Sequence, residues 1–248
     1  MSRFPFIRVG NSMKKFVFVF ILSIGVLLPM RAQNLPYADQ RPFHFGFSLG
    51  LNFMDLALTP SMLPCGPNGE VLQARVSSLM PGFSVGVIGE MRLNRYFSVR
   101  THPTFHFGQR TISYKPDGST KDDPVAYKTD VISMPIMVPF YLKYSAEREW
   151  NGRPYILLGG GVSFDVGRDR ERYVILNTFD YFLEVGVGCE IYFSFFKLSP
   201  ELKFSLGFNN VLTPISKRPE LNDPAVHFYT NAIDRLTSRL LTLSFNFE

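Results

Sequence analysis

Between Phe43 and Phe53 every odd position is phenylalanine or leucine, and every even position is polar or glycine. Successive side chains of a strand face opposite ways, so an extended segment of this kind has one apolar face and one polar or empty face. A helix would mix the two sets, and the period of two therefore decides for strand. Seven further segments repeat the pattern, at 82–93, 96–110, 131–144, 154–166, 180–193, 196–208 and 237–248. In the last of them Leu241, Leu243, Phe245 and Phe247 alternate with Thr242, Ser244, Asn246 and Glu248.

These segments are 11 to 15 residues long. A tilted transmembrane strand needs about 9–11 residues, whereas strands of soluble proteins usually have about 5–6. The connections between the segments are 28, 2, 20, 9, 13, 2 and 28 residues long, so long and short alternate throughout. Short turns on one side and long loops on the other are the pattern of outer-membrane barrels. The expected fold is all-β: an eight-stranded antiparallel up-and-down transmembrane barrel. Closure removes the unpaired strand edges that hydrocarbon cannot satisfy. An even number of strands puts both termini on one side, the periplasmic one, with loops 54–81, 111–130, 167–179 and 209–236 outside. A soluble barrel would expose the polar face to water, but that face carries too many glycines for a solvated sheet. Small residues suit the crowded interior of an eight-stranded barrel.

The start of the chain reads as an export signal. Lys14 and Lys15 precede an apolar run from Phe16 to Leu28, and Ala32 before Gln33 suits cleavage between the two. The run is shorter than the roughly 20 residues a spanning helix needs. Met13-Lys14-Lys15 looks like the true start. The expected organisation is a signal peptide over 1–32 and a barrel domain over 33–248. Cleavage removes five basic residues and no acid, so the 26 basic and 21 acidic residues of the whole chain become 21 of each. The basic balance therefore belongs to the leader and does not point to nucleic acid.

By parity, the polar face collects Glu90, Arg92, Arg100, His102, Arg110, Lys143, Asp165, Glu184, Glu190, Lys197, Glu201 and Lys203. Acids and bases are about matched, as a salt-bridged lumen requires, because an unpaired buried charge costs several kcal/mol. The competing reading is a narrow hydrated pore, for which eight strands leave little room. His102 and His106 share a strand four residues apart, about 13 Å at ~3.3 Å per residue, too far for one metal ion. No local motif unites a nucleophile, a base and an orienting acid, and there is no phosphate-binding loop. The expectation is thus no catalytic residue, metal or cofactor, and no small-molecule substrate. Cys65 and Cys189 make no disulfide framework. The long loops, rich in proline and glycine, are candidate partner-binding segments.

The segments VISMPIMVPFYLKY (131–144), PYILLGGGVSFDV (154–166) and LSPELKFSLGFNN (198–210) resemble the PorT family, outer-membrane barrels of Bacteroidota. The leader ending Arg-Ala before Gln is similar to that group as well. The resemblance covers nearly all of 33–248. It implies a component of the type IX secretion system, needed for export of cargo such as gingipain-type proteases and acting by contact with other secretion proteins. It supplies no catalytic motif, and Pro135, Pro139 and Pro200 match its strand pattern as structural residues. The alternative is a generic small barrel for envelope integrity, adhesion or minor permeability.

Overall fold

In a computed structural model, residues 42–61, 63–64, 69–117, 127–167, 177–193, 195–213 and 224–248 are described, all within one compact unit, Pro36–Glu248. Ala32, Gln33 and Cys65 lie outside them. The elements are β1 (Phe43–Pro60), β2 (Leu72–Leu79), β3 (Pro81–Arg92), β4 (Phe97–Thr101), β5 (Thr104–Pro116), β6 (Tyr127–Ser133), β7 (Pro135–Ser145), β8 (Gly152–Asp165), β9 (Phe179–Tyr192), β10 (Lys197–Gly207), helix α1 (Pro224–Asn231) and β11 (Ile233–Phe247).

All pairings are antiparallel, and β1 closes the ring by pairing with β3 on one side and β11 on the other. β2 runs on into β3 through Met80, and β4 with β5, and β6 with β7, each make one interrupted stave, so the eleven strands form a ring of eight. The break between β4 and β5 falls at His102 and Pro103, where proline has no N–H for the ladder. The other break falls at Met134, just before Pro135. Register continues unbroken across both.

The registers give the barrel its geometry. From Phe45, successive partners are Gly89, Thr101, Phe140, Gly160, Leu183, Leu206, Arg239 and finally Asp55, ten residues further along β1. Eight strands about 4.8 Å apart with that offset at ~3.3 Å per residue tilt by about 40°. The apolar outer positions of β1 run from Phe43 to Phe53. Ten steps at that tilt rise about 25 Å, the height of the lipid-facing band of such barrels.

Beyond that band the alternation changes sign. On β1, Met54 and Leu56 are buried inside the barrel, while Thr59 faces outward. On β5, Ile112 and Tyr114 turn inward, and Thr111 and Lys115 outward. On β11, Leu236 and Leu240 are buried, and Arg235 and Arg239 are exposed. The staves thus leave lipid with an apolar inside and a polar outside, as a water-soluble barrel has. This corrects the expected loops. The segment 54–81 contains the end of β1 and all of β2, which pairs with β5. β5 and β6 prolong their staves into 111–130, and 209–236 contains α1 and the start of β11. A strand whose apolar face switches sides at Phe53 reads as a strand that ends there.

The inverted part has its own core of Leu56, Leu72, Ala74, Ile112, Tyr114, Val131, Val211, Leu212, Ala232, Ile233 and Leu236. Phe228 and Tyr229 of α1 pack against it, and Tyr229 stacks on Tyr127 with centroids 4.4 Å apart. Burying each of Leu72, Ile112 and Leu236, at 0–1% exposure, is worth about 1.5–3 kcal/mol. This core caps the barrel at its long-loop end.

Candidate functional site

Below the cap, inward-facing charges fill the lumen. β10 presents Lys197, Glu201 and Lys203 on one face, and β3, β4, β7 and β9 present Glu90, Arg100, Lys143, Glu184 and Glu190 toward them. Register and ring curvature place these groups within bonding distance of one another.

Arg100, fully buried, is the hub. Its Nε and Nη2 reach Glu90 Oε2 at 2.7 and 2.6 Å, its Nη1 reaches Glu201 at 3.0 Å, and Nη2 reaches Glu248 at 3.0 Å. A planar guanidinium with five donors can serve three carboxylates, which a lysine cannot match. Lys143 bridges Glu90 (3.0 Å) and Glu190, and Lys197 bridges Glu190 (3.1 Å) and Glu248. The Tyr155 hydroxyl donates to Glu201 at 2.7 Å, and Lys143 lies 4.4 Å above its ring. One layer deeper, Lys203 lies 3.5 Å from both Glu184 and Glu201, and Tyr141 donates to Glu184 at 2.6 Å. Two glycines make the room. A Cβ on Gly188 would stand 2.5 Å from the Tyr155 hydroxyl, and one on Gly159 would run into the Phe140 carbonyl.

His102 joins the same cluster. Lys203 Nζ lies 3.0 Å from Nδ1, and Ser48 Oγ lies 2.6 Å from Nε2. An ammonium only donates, so Nδ1 accepts and the ring proton sits on Nε2, facing the serine. This brings together a serine and a histidine, but the third partner is a cation rather than an orienting acid. Both side chains are sealed at 2% and 1% exposure. Among the described residues no three His, Cys, Asp or Glu side chains gather where a metal ion could be held. Cys189 carries a free thiol.

Three residues of the expected inward-facing set stand apart from it. Arg92 is at the short-turn rim and donates to the Asn94 carbonyl at 3.0 Å. Asp165 is near the cap, where it accepts from the Ser133 hydroxyl and from the amides of Met134 and Gly167. Arg110 is buried near the cap, bonded to the Asp55 carbonyl at 3.3 Å. Glu248, Tyr141 and Tyr155 belong to the network but were not singled out by sequence reasoning. Their inward parity was the available signal.

Among the described residues two small cavities open into the lumen. One of about 60 Å³ lies under the cap beside Arg110, Asp165, Asp180 and Ser238. The other, about 20 Å³, opens at the short-turn end beside Arg92, Tyr96 and Arg153. There Tyr96 donates to Glu147 at 2.8 Å, and that bond raises the phenol's pKa. At about 10–15 Å³ per water, these cavities hold small clusters rather than a water column. The charged network lies between them. The intact barrel is therefore expected to give no steady conductance in planar bilayers. Replacing Tyr141 and Tyr155 together by alanine is expected to open a measurable ion current. Equal, large conductance for both proteins would refute the sealed lumen.

A closed eight-stave ring with an apolar outer band and a packed polar interior defines an outer-membrane β-barrel. The chain belongs to the outer membrane protein beta-barrel domain family, whose profile matches residues 31–213. That family places it in the outer membrane. Among solved structures it is similar to Neisserial surface protein A, at 11% identity over 83% of this chain and 98% of that one, with a TM-score of 0.40. It is also similar to the outer membrane protein OprG from Pseudomonas aeruginosa, at 10% identity over 83% and 92%, TM-score 0.41. A third is the attachment invasion locus protein Ail of Yersinia pestis, in complex with the heparin analogue sucrose octasulfate, at 11% identity over 84% and 99%, TM-score 0.39. A search of curated proteins finds no match.

Proposed function

We propose that this barrel is a non-catalytic component of a protein-secretion machine, the type IX system implied by the resemblance to the PorT family. It acts through contacts with other secretion proteins, with both termini on the periplasmic side. The observation that carries the reading is the sealed lumen. A barrel whose interior is occupied by Arg100, Lys143, Lys203 and their carboxylates offers no path for cargo or solute, so its work falls to its ends and outer wall. Among the described residues the Ser48–His102 pair is joined by the Lys203 cation and not by an acid, and both side chains are buried, so no hydrolytic role is assigned to it. Outer-membrane lipid is the other partner, and neither nucleic acid nor a small-molecule substrate is invoked.

Deleting the gene tests this. The expected result is loss of extracellular protease activity with the precursors retained in the periplasm, restored by the intact gene. Normal secretion in the deletion strain would remove the reading. It would leave a general envelope role, which the buried network and wholly lipid-exposed band equally permit.

A further inference from the structure

Trp150 is the only tryptophan in the chain, is 97% exposed, and has a φ of 54°. It lies in the turn between β7 and β8, where Glu149 and Gly152 exchange two backbone hydrogen bonds of 2.9 Å. That makes Trp150 the first central residue of a two-residue hairpin turn. Positive φ at this position is ordinarily supplied by glycine. A bulky side chain held in the left-handed region is strained, and strain of this kind collects at contact sites. Trp150 buries almost nothing within its own chain, so packing does not account for it.

The mouth around this turn is basic. Arg92, Arg95, Arg148 and Arg153 stand at the rim with Glu147 and Glu149, while the two carboxylates that line the floor, Glu90 and Glu190, are already paired with Arg100, Lys143 and Lys197. Arg95 pairs with Glu147 at 3.3 Å. Arg92 donates to the Asn94 carbonyl, and Arg153 to the carbonyls of Ala146 and Arg95. Among the described residues neither guanidinium has a carboxylate partner. Both line the 20 Å³ depression at the short-turn end. Phe195, on the β9–β10 turn, is 75% exposed at the same end.

We propose that the short-turn mouth is a docking surface for an acidic segment of a protein partner, anchored on Trp150 and held by Arg92 and Arg153. A protein fits better than lipid, because headgroups surround the outer wall whereas these two guanidiniums line a depression in the mouth. Charged guanidiniums bonded only to carbonyls retain the capacity for fork-to-fork pairing with carboxylates. The proposal stands whether or not the barrel serves secretion.

The test uses the full barrel folded in detergent micelles. The probe is a fluorescein-labelled ten-residue peptide of alternating glutamate and alanine, and its lysine counterpart is the control. Saturable binding of the acidic peptide is expected, with a change in Trp150 emission and weakening as salt rises. Replacing Arg92 and Arg153 together by glutamine is expected to weaken binding at least tenfold. Trp150→Gly, which relieves the φ strain and should fold at least as well, is expected to weaken binding severalfold as read by peptide anisotropy. Equal binding of the two peptides, or unchanged binding by the arginine variant, would overturn the proposal. Strong quenching of Trp150 by brominated phosphatidylglycerol in peptide-free vesicles would also overturn it, by assigning the residue to lipid. None of these outcomes bears on the gene-deletion test.

Discussion

Arg100→Gln is expected to destabilise the folded barrel by about 3–5 kcal/mol, the cost of removing one partner from a buried ion network. The guanidinium serves Glu90, Glu201 and Glu248, and all four groups are buried. Four cations, Arg100, Lys143, Lys197 and Lys203, face five carboxylates, Glu90, Glu184, Glu190, Glu201 and Glu248, in this cluster. Loss of Arg100 leaves three cations for five acids in a space that admits almost no water. Glutamine keeps two donors but brings no charge. The measurement is urea unfolding in detergent or lipid, together with the temperature at which the compact band is lost on gel electrophoresis. Glu201→Gln added to Arg100→Gln is expected to recover part of the loss, because it removes one uncompensated acid. A single variant as stable as the parent, or a double variant showing the two losses simply added, would mean the cluster is not the coupled unit described.

How much of that cluster the sequence disclosed depends on what parity can carry. Parity placed Glu90, Arg100, Lys143 and Glu201 inside, since a strand's faces alternate whatever the rest of the fold does. It could not say which of them meet. Glu201 and Arg100 are separated by 101 residues, and their approach depends on tilt and register, which no local segment encodes. Arg92 shows the limit. It has the parity of Glu90, but two residues along the strand it has passed the rim, so its guanidinium turns to the Asn94 carbonyl. Glu248 shows the reverse: a last residue that looks like a frayed end, yet Lys197 and Glu248 exchange backbone bonds of 2.8 and 3.0 Å and hold it in the ladder.

The missed strands have a different cause. Reading one alternation with the apolar side outward finds eight segments and stops each where that phase stops. At Phe53 the phase reverses without the strand ending, because outside the bilayer the apolar residues belong inside. β2 and the first residues of β11 follow the reversed phase only, so they read as loop. α1 is legible only as a short amphipathic turn before its strand. The reversal is therefore informative in itself: it marks where hydrocarbon ends on each stave.

That boundary predicts two opposite outcomes for one substitution on a single strand. Leu49 and Ala57 both face outward on β1, eight residues apart, and Leu49 is 48% exposed within the apolar band. Arginine at Leu49 is expected to cost about 2–4 kcal/mol, as for a cation near the bilayer midplane, and arginine at Ala57 about 0–1 kcal/mol. Ala57 pairs with Thr237, between Arg235 and Arg239, so the wall there already carries cations in water. Unfolding from lipid vesicles by urea, followed by loss of the β-sheet circular dichroism signal, measures both. The decisive comparison is with detergent micelles, where a deformable shell should shrink the difference between the sites. Equal costs at the two positions in lipid would put both residues in one medium, and the reversal at Phe53 would then not be the edge of the bilayer.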